Sequence, residues 1–233
     1  MAAVVEQACG TLDIDPTQPI AIVITVPASV EQQDTLRAHA TSLTAGGDTV
    51  PAAVTWSSLD TTLLGIVDSV NGVFVGKQAG VTQILARAGN LRSLGIAVTV
   101  NRAADTLFAS GATSDTITLA TFDSVAGPFA VVLADTVIGA IPPIAPLAGR
   151  PVVFTITASP AGATVSVVPD NVSHAVATTD TVLTDATGTA QVWLRYLGGG
   201  TLPDSARILA TARRAVGTTV HGSPVPFVVR IAP

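Results

Sequence analysis

The 233-residue chain carries ten Arg, one Lys, fourteen Asp and two Glu, for a formal charge of −5. Apart from Arg213-Arg214 its cations are scattered singly, which excludes the basic face that neutralising phosphates would require and with it a nucleic-acid partner. Although 48% of the residues are hydrophobic, no apolar run approaches the ~20 residues of a membrane-spanning helix. Val, Ala, Ile and Leu are instead interleaved with Thr and Ser, a mixture that suits pleated strands rather than helices.

Residues 1–17 show no period and read as a tail or edge extension. Cys9 is alone, so neither an internal disulfide nor a Cys-based zinc site can form. Two readings of it stay open, an incidental thiol and a lipid-attachment site exposed by signal-peptide cleavage. Ala8 suits such a cleavage, but Glu6 and Gln7 do not. Met1–Ala8 is also too short for a charged segment followed by an apolar one. As written the chain has no export signal, so either its start has been trimmed or replaced or the protein is internal. Asp13 and Asp15 are two carboxylates without the rest of a cation loop and read as solvated.

From Ile20 onward the pattern is alternation. Ile20, Ile22, Ile24 and Val26 predict a half-buried strand closed by Pro27. Leu36, Ala38 and Ala40 predict a second, with His39 on its outer face. Ala45-Gly46-Gly47-Asp48 is a loop. Val54 and Trp56 share one face of the next strand, and the indole has the size to bridge two stacked sheets. A short strand to Asp68, an Asn71-Gly72 hairpin turn, and strands over Thr82–Ala88 and Leu94–Val100 complete the set. About seven short strands at this spacing fit an immunoglobulin-like sandwich. Val54-Thr55-Trp56-Ser57-Ser58, Val67-Asp68, Asn71-Gly72-Val73, Gly80-Val81-Thr82-Gln83-Ile84 and the closing Val98-Thr99-Val100 resemble the group 2 bacterial immunoglobulin-like domain over residues 18–102. The segment Pro27–Thr35 departs from that pattern in being short and lacking Gly.

Asn101–Asp105 is a polar step read as the domain boundary, short enough to predict a defined elbow. In residues 103–233 strands are expected at Leu107-Phe108, Ile117–Leu119, Phe129–Leu133, Val152–Ile156, Val165–Val168, Val192–Tyr196, Ile208–Ala212 and Phe227–Ile231. The pieces Leu147–Ile156, with Ala148-Gly149-Arg150-Pro151-Val152-Val153-Phe154, and Thr184–Val192, with Thr184-Asp185-Ala186-Thr187-Gly188-Thr189-Ala190, resemble the group 1, invasin- and intimin-type, domain over roughly residues 128–231. Together the expected fold is all-β, two immunoglobulin-like sandwiches in tandem. Such families imply extracytoplasmic structural or adhesive modules without enzymatic activity.

For catalysis, His39, His174 and His221 are widely separated and show neither a nucleophile elbow nor a metal-ligand spacing. No catalytic, cofactor or metal residue is assigned, and Gly198-Gly199-Gly200, with no helix after it, reads as a flexible turn rather than a phosphate loop. Asn171-Val172-Ser173 matches a glycosylation acceptor by chance composition. Two features suggest a protein-binding surface. With Val192, Leu194 and Tyr196 turned inward, Gln191, Trp193 and Arg195 should face out, Trp193 as an anchor unless a strand or loop of the chain covers it. The apolar loop Ile141-Pro142-Pro143-Ile144-Ala145-Pro146-Leu147 is expected at the surface, packed either against a neighbour or against its own sheet. The expected partners are other envelope proteins or neighbouring copies, with a membrane reached only through a lipid on Cys9 or a membrane-protein partner. The alternatives are a carbohydrate-binding module, for which 4% aromatic residues is few, and a decoration protein of phage particles.

Overall fold

A computed structural model describes Asp15 and residues 17–119, 124–136 and 144–233, Ser124 by its backbone alone. Among these there is no helix. The chain divides between Asn101 and Arg102 into two compact units, each an immunoglobulin-like sandwich built from period-two alternation.

In the first unit, β1 (Ala21–Thr25) buries Ile22 and Ile24 and leaves Val23 in solvent. It pairs antiparallel with β4 (His39–Leu43), whose other edge is held by the short β5 (Thr49–Val50). Opposite stands a sheet centred on β9 (Gly80–Ala88), paired with β6 (Thr55–Ser58), β10 (Leu91–Arg92) and β11 (Ile96–Asn101). The chain crosses between layers early: β2 (Ser29–Glu31) leaves the β1 side and runs parallel to the last strand, β11. A third ladder joins β3 (Thr35–Arg37), β8 (Val73–Gly76) and β7 (Leu64–Asp68). Inward residues of all these sheets form one cluster, including Ile22, Ile24, Leu36, Leu64, Ile84, Val98 and Val100. At its centre Trp56, 4% exposed, meets Phe74 edge to face at 6.3 Å and 89°, an arrangement the ring quadrupoles favour.

The second unit repeats the plan. Its first sheet has the order β12 (Thr106–Ala109), β14 (Ser124–Thr136), β19 (Thr189–Gly199), β17 (Ala163–Val168), with β15 (Ile144–Pro146) on β14. The second has the order β13 (Ser114–Thr118), β21 (Val225–Ala232), β20 (Asp204–Ala212), β16 (Pro151–Ala158), β18 (Thr179–Leu183). Again the chain changes layer near its start, and β13 runs parallel to the final β21. Phe129 and Phe227 pack at 5.3 Å between the sheets, among Leu133, Val152, Phe154, Val192, Leu194 and Ile208.

Several expectations need correction. The strand expected over Leu36–Ala40 is two, because the chain exchanges neighbours at Ala38: β3 pairs with β8, β4 with β1. Side-chain parity survives that exchange, so the sequence cannot show it. Leu94, expected inward, is 87% exposed, because β11 begins only at Ile96 after a loop pinned by Ser93, whose Oγ accepts from the Ala86 amide at 2.9 Å. Ile144–Pro146 is an edge strand rather than loop, with Ala134 opposite Pro146. Gly198 and Gly199 lie in β19 against Thr164 and Ala163, not in a free turn. β18 was not anticipated.

The two motifs quoted from the second unit are joined by hydrogen bonds. Thr184 Oγ1 donates to the Leu147 carbonyl at 2.5 Å and accepts from the Arg150 amide at 2.9 Å. Asp185 Oδ1 accepts from the Thr187 amide, the Thr187 hydroxyl and the Thr189 amide at 2.8, 2.6 and 3.0 Å. Gly188 has φ +74°, and a Cβ there would stand 2.6 Å from the Leu133 carbonyl oxygen, which accepts no side chain so near. The Thr-Asp-X-X-Gly turn is therefore a latch that fastens the Leu147–Arg150 corner to β14.

Truncating the indole tests the first core. Trp56→Ala should cost about 3–5 kcal/mol in denaturant unfolding of the first unit and leave the second unit's transition in place. A loss below about 1 kcal/mol would show that the layers close without it.

Candidate functional site

The expected contact surface is only partly open. Val192, Leu194 and Tyr196 are buried as the alternation requires, Gln191 is exposed, and Trp193, opposite Val168, is half-buried. Arg195 corrects the expectation: its residue is 1% exposed. It does point away from the core, but residues 169–178 fold over that face of the sheet. Arg195 Nη2 donates to the Asn171 carbonyl at 2.7 Å, and Nη1 lies 3.5 Å from His174 Nε2. Its cross-strand neighbour Ser166 anchors the same loop, accepting from the Ala177 amide at 2.8 Å and donating to the Ala175 carbonyl at 2.6 Å. Burying a guanidinium is tolerable only when its donors are met, and this loop supplies the acceptor. Ser166 and Thr179–Leu183 around the loop carried no period that would have announced the cover.

Ile144 is half-buried at the start of β15. Ile141, Pro142 and Pro143, like Cys9 and Asp13, lie outside the described residues. His39 is exposed on β4, His174 sits in the covering loop, and His221 precedes a turn where its carbonyl accepts from the Leu107 amide. No group of three or more His, Cys, Asp or Glu among the described residues is arranged to hold a metal ion.

Carboxylates instead hold turns. Asp15, Asp60 and Asp185 each accept from the amide and the hydroxyl of the Thr two residues on, with hydroxyl distances of 2.6 Å in all three. These bonds favour the charged form and lower each pKa below the usual carboxylate value, the Thr hydroxyl being the largest cause. Asp68 does the same work at the Asn71-Gly72 turn, its pKa lowered first by the Asn71 side chain.

Asp135 is the opposite case. It is 7% exposed, and burial, then the adjacent Asp105 carboxyl, raise its pKa, against a smaller opposing pull from Arg102. Asp105 also lies 3.7 Å from Arg214 Nη1. An Asp whose folded pKa is raised favours the folded state fully below its unfolded value, near 3.9, and loses that advantage as pH rises through the folded one.

The first unit carries open grooves. One of about 490 Å³ is lined by Arg37, His39, Ala40, Ala52, Val54 and Trp56 among others. A second of about 380 Å³ continues from Ala40 and Ala52 toward Ser42 and Val50.

Two outcomes follow from these contacts. Arg195→Met should speed limited proteolysis within residues 169–178 and lower stability by about 1–3 kcal/mol; unchanged cleavage would mean Ser166 holds the loop alone. Asp135→Asn should raise the second unit's melting temperature at pH 7, with the gain shrinking as pH falls toward the ordinary carboxylate range. A gain that is constant across pH would remove the charge as its cause.

No family model matches the chain, and no curated protein matches it. Among solved structures, it is similar to domains 4 and 5 of the S-layer protein SbsC, at 16% identity over 93% of this chain and 100% of that one, with a TM-score of 0.36. The Yersinia pseudotuberculosis adhesin InvE matches at 15% identity over 89% of this chain, TM-score 0.40, and this chain spans 58% of it. Fibronectin(III)-like modules of Clostridium thermocellum CbhA match at 11% identity over 90% and 93% of the two chains, TM-score 0.37. At such identities and TM-scores these likenesses carry no argument about activity or partners.

Proposed function

We propose that this chain is a non-enzymatic structural module of the bacterial cell envelope, outside the cytoplasm. In it two immunoglobulin-like sandwiches, group 2-like then group 1-like by their motifs, hold or space other envelope proteins or neighbouring copies. The observation that carries this reading is where the chemistry-bearing side chains go. Asp60, Asp68 and Asp185 fasten turns, Thr184 latches a corner, and Ser166 and Arg195 pin a loop to a sheet. Groups that a hydrolase would converge on a substrate are here spent on making each sandwich rigid, which is what a strut requires. The same economy serves a segment of a surface adhesin or filament and an accessory scaffold on an envelope complex.

Contact with a partner is assigned to the sheet that carries Trp193 and Ile144, both half-buried. A partly covered Trp has area left to bury and little entropy to lose on docking. Co-sedimentation of the purified chain with envelopes of the producing cell tests this. Trp193→Ala should reduce the retained fraction while leaving the melting temperature nearly unchanged. A large fall in melting temperature would place Trp193 in the core instead, and recovery of the native protein only in the cytosolic fraction would overturn the envelope assignment.

A further inference from the structure

The turn between β7 and β8 holds a reactive pair, Asn71 followed by Gly72. A backbone nitrogen can attack the side-chain carboxamide of the asparagine before it. Glycine is the residue that does so most readily, because it has no Cβ to crowd the approach. Asn71 is exposed, so water reaches it, whereas Gly72 is buried with φ +65°. The other asparagines, Asn90, Asn101 and Asn171, precede Leu, Arg and Val.

Asp68 restrains this pair. Its Oδ1 accepts from the Val70 and Asn71 amides at 2.9 Å each, and its Oδ2 accepts from Asn71 Nδ2 at 2.7 Å. On the other side the Gly72 carbonyl accepts from the Ala38 amide at 2.8 Å. Closing a ring between Asn71 Cγ and the Gly72 nitrogen has to rotate the Asn71 backbone and side chain, and both are fastened. Charge acts in the same direction. The bonds from Asn71 and Val70, with Arg37 adding least, keep Asp68 ionised by lowering its pKa. The attacking nitrogen must shed its proton, and an anion forming beside that carboxylate is disfavoured by like charge. A carboxamide that donates to a carboxylate is also a poorer electrophile, because its nitrogen gains electron density.

We infer that Asn71-Gly72 is a site of spontaneous deamidation, timed by the Asp68 clamp. The Gly72 nitrogen loses its proton to hydroxide and bonds to Asn71 Cγ. The Cγ–Nδ2 bond breaks, and ammonia leaves with a proton taken from water. Water then opens the succinimide ring at either carbonyl, leaving aspartate or isoaspartate at position 71. The product undoes the clamp. A carboxylate replaces the donor that stood 2.7 Å from Asp68 Oδ2, and an isoaspartyl link adds a methylene to the main chain. Gly72 has no slack to absorb it, since even an added Cβ would lie 2.8 Å from the Ala38 carbonyl oxygen and 2.9 Å from the Trp56 indole. Deamidation therefore loosens the first core at its central aromatic ring.

Peptide mapping by mass spectrometry of the full chain, held at mildly alkaline pH and sampled over weeks, tests the inference. Conversion is expected at Asn71 ahead of Asn90, Asn101 and Asn171. Asp68→Ala should speed it severalfold without changing the rates at the other asparagines. Asn71→Asp, which supplies the product charge, should lower the melting temperature of the first unit and leave the second unit's in place. If Asp68→Ala does not fold, the parent chain in urea serves, where Asn71 should convert faster than in the folded chain. An Asn71 rate unchanged in folded Asp68→Ala or in urea, slower conversion at Asn71 than at Asn171, or Asn71→Asp melting with the parent would each overturn it.

Discussion

Everything in this molecule depends on one constraint: a strand with an apolar face needs a second sheet to cover it, and the covering must come from the same short unit. Both units meet it in the same manner. The entering strand begins in one layer and ends in the other, where it pairs parallel to the final strand of its unit, as β2 does with β11 and β13 with β21. That handover ties the first residues of each unit to the last. It also closes the sandwich at the edge where sheets are most exposed to water. Side chains from both layers then fill the space between, Trp56 on Phe74 in one unit and Phe129 on Phe227 in the other.

The second demand is that backbone groups left over where strands stop must find partners. Among the described residues, which include no helix, this falls to short polar side chains. The Asp-X-Thr segments at Asp15, Asp60 and Asp185 solve it identically, with one carboxylate oxygen taking an amide and a hydroxyl from the same threonine. Ser166 and Thr184 solve it at longer range, joining segments that are distant in sequence.

Alternation made much of the fold legible. Inward positions such as Ile22, Ile84, Val98, Phe154 and Val192 follow from period two, because parity alone decides which face a strand residue takes. What parity cannot report is the identity of the neighbour. It therefore missed the exchange at Ala38, the edge strand over Ile144–Pro146, and the loop that buries Arg195. In that last case the direction was readable and the cover was not: Arg195 does point away from the core, and only the tertiary path of residues 169–178 turns an outward side chain into a buried one.

The same reasoning separates what the sequence motifs say from what they do not. Thr184, Asp185 and Gly188 recur in the turn that resembles a known domain type, and each has a structural reason to be there. The hydroxyl spans two segments, the carboxylate gathers three donors, and the glycine sits where a Cβ would strike the Leu133 carbonyl. Trp56 and Gly72 form a comparable pair in the first unit, since a Cβ on Gly72, at φ +65°, would come within 2.9 Å of the indole. Residues under such constraint are held by the requirements of folding whatever the protein binds. They identify an architecture and are silent on a partner. Specificity has to be sought where folding imposes little, and the half-covered Trp193 of the proposed contact face is one such place.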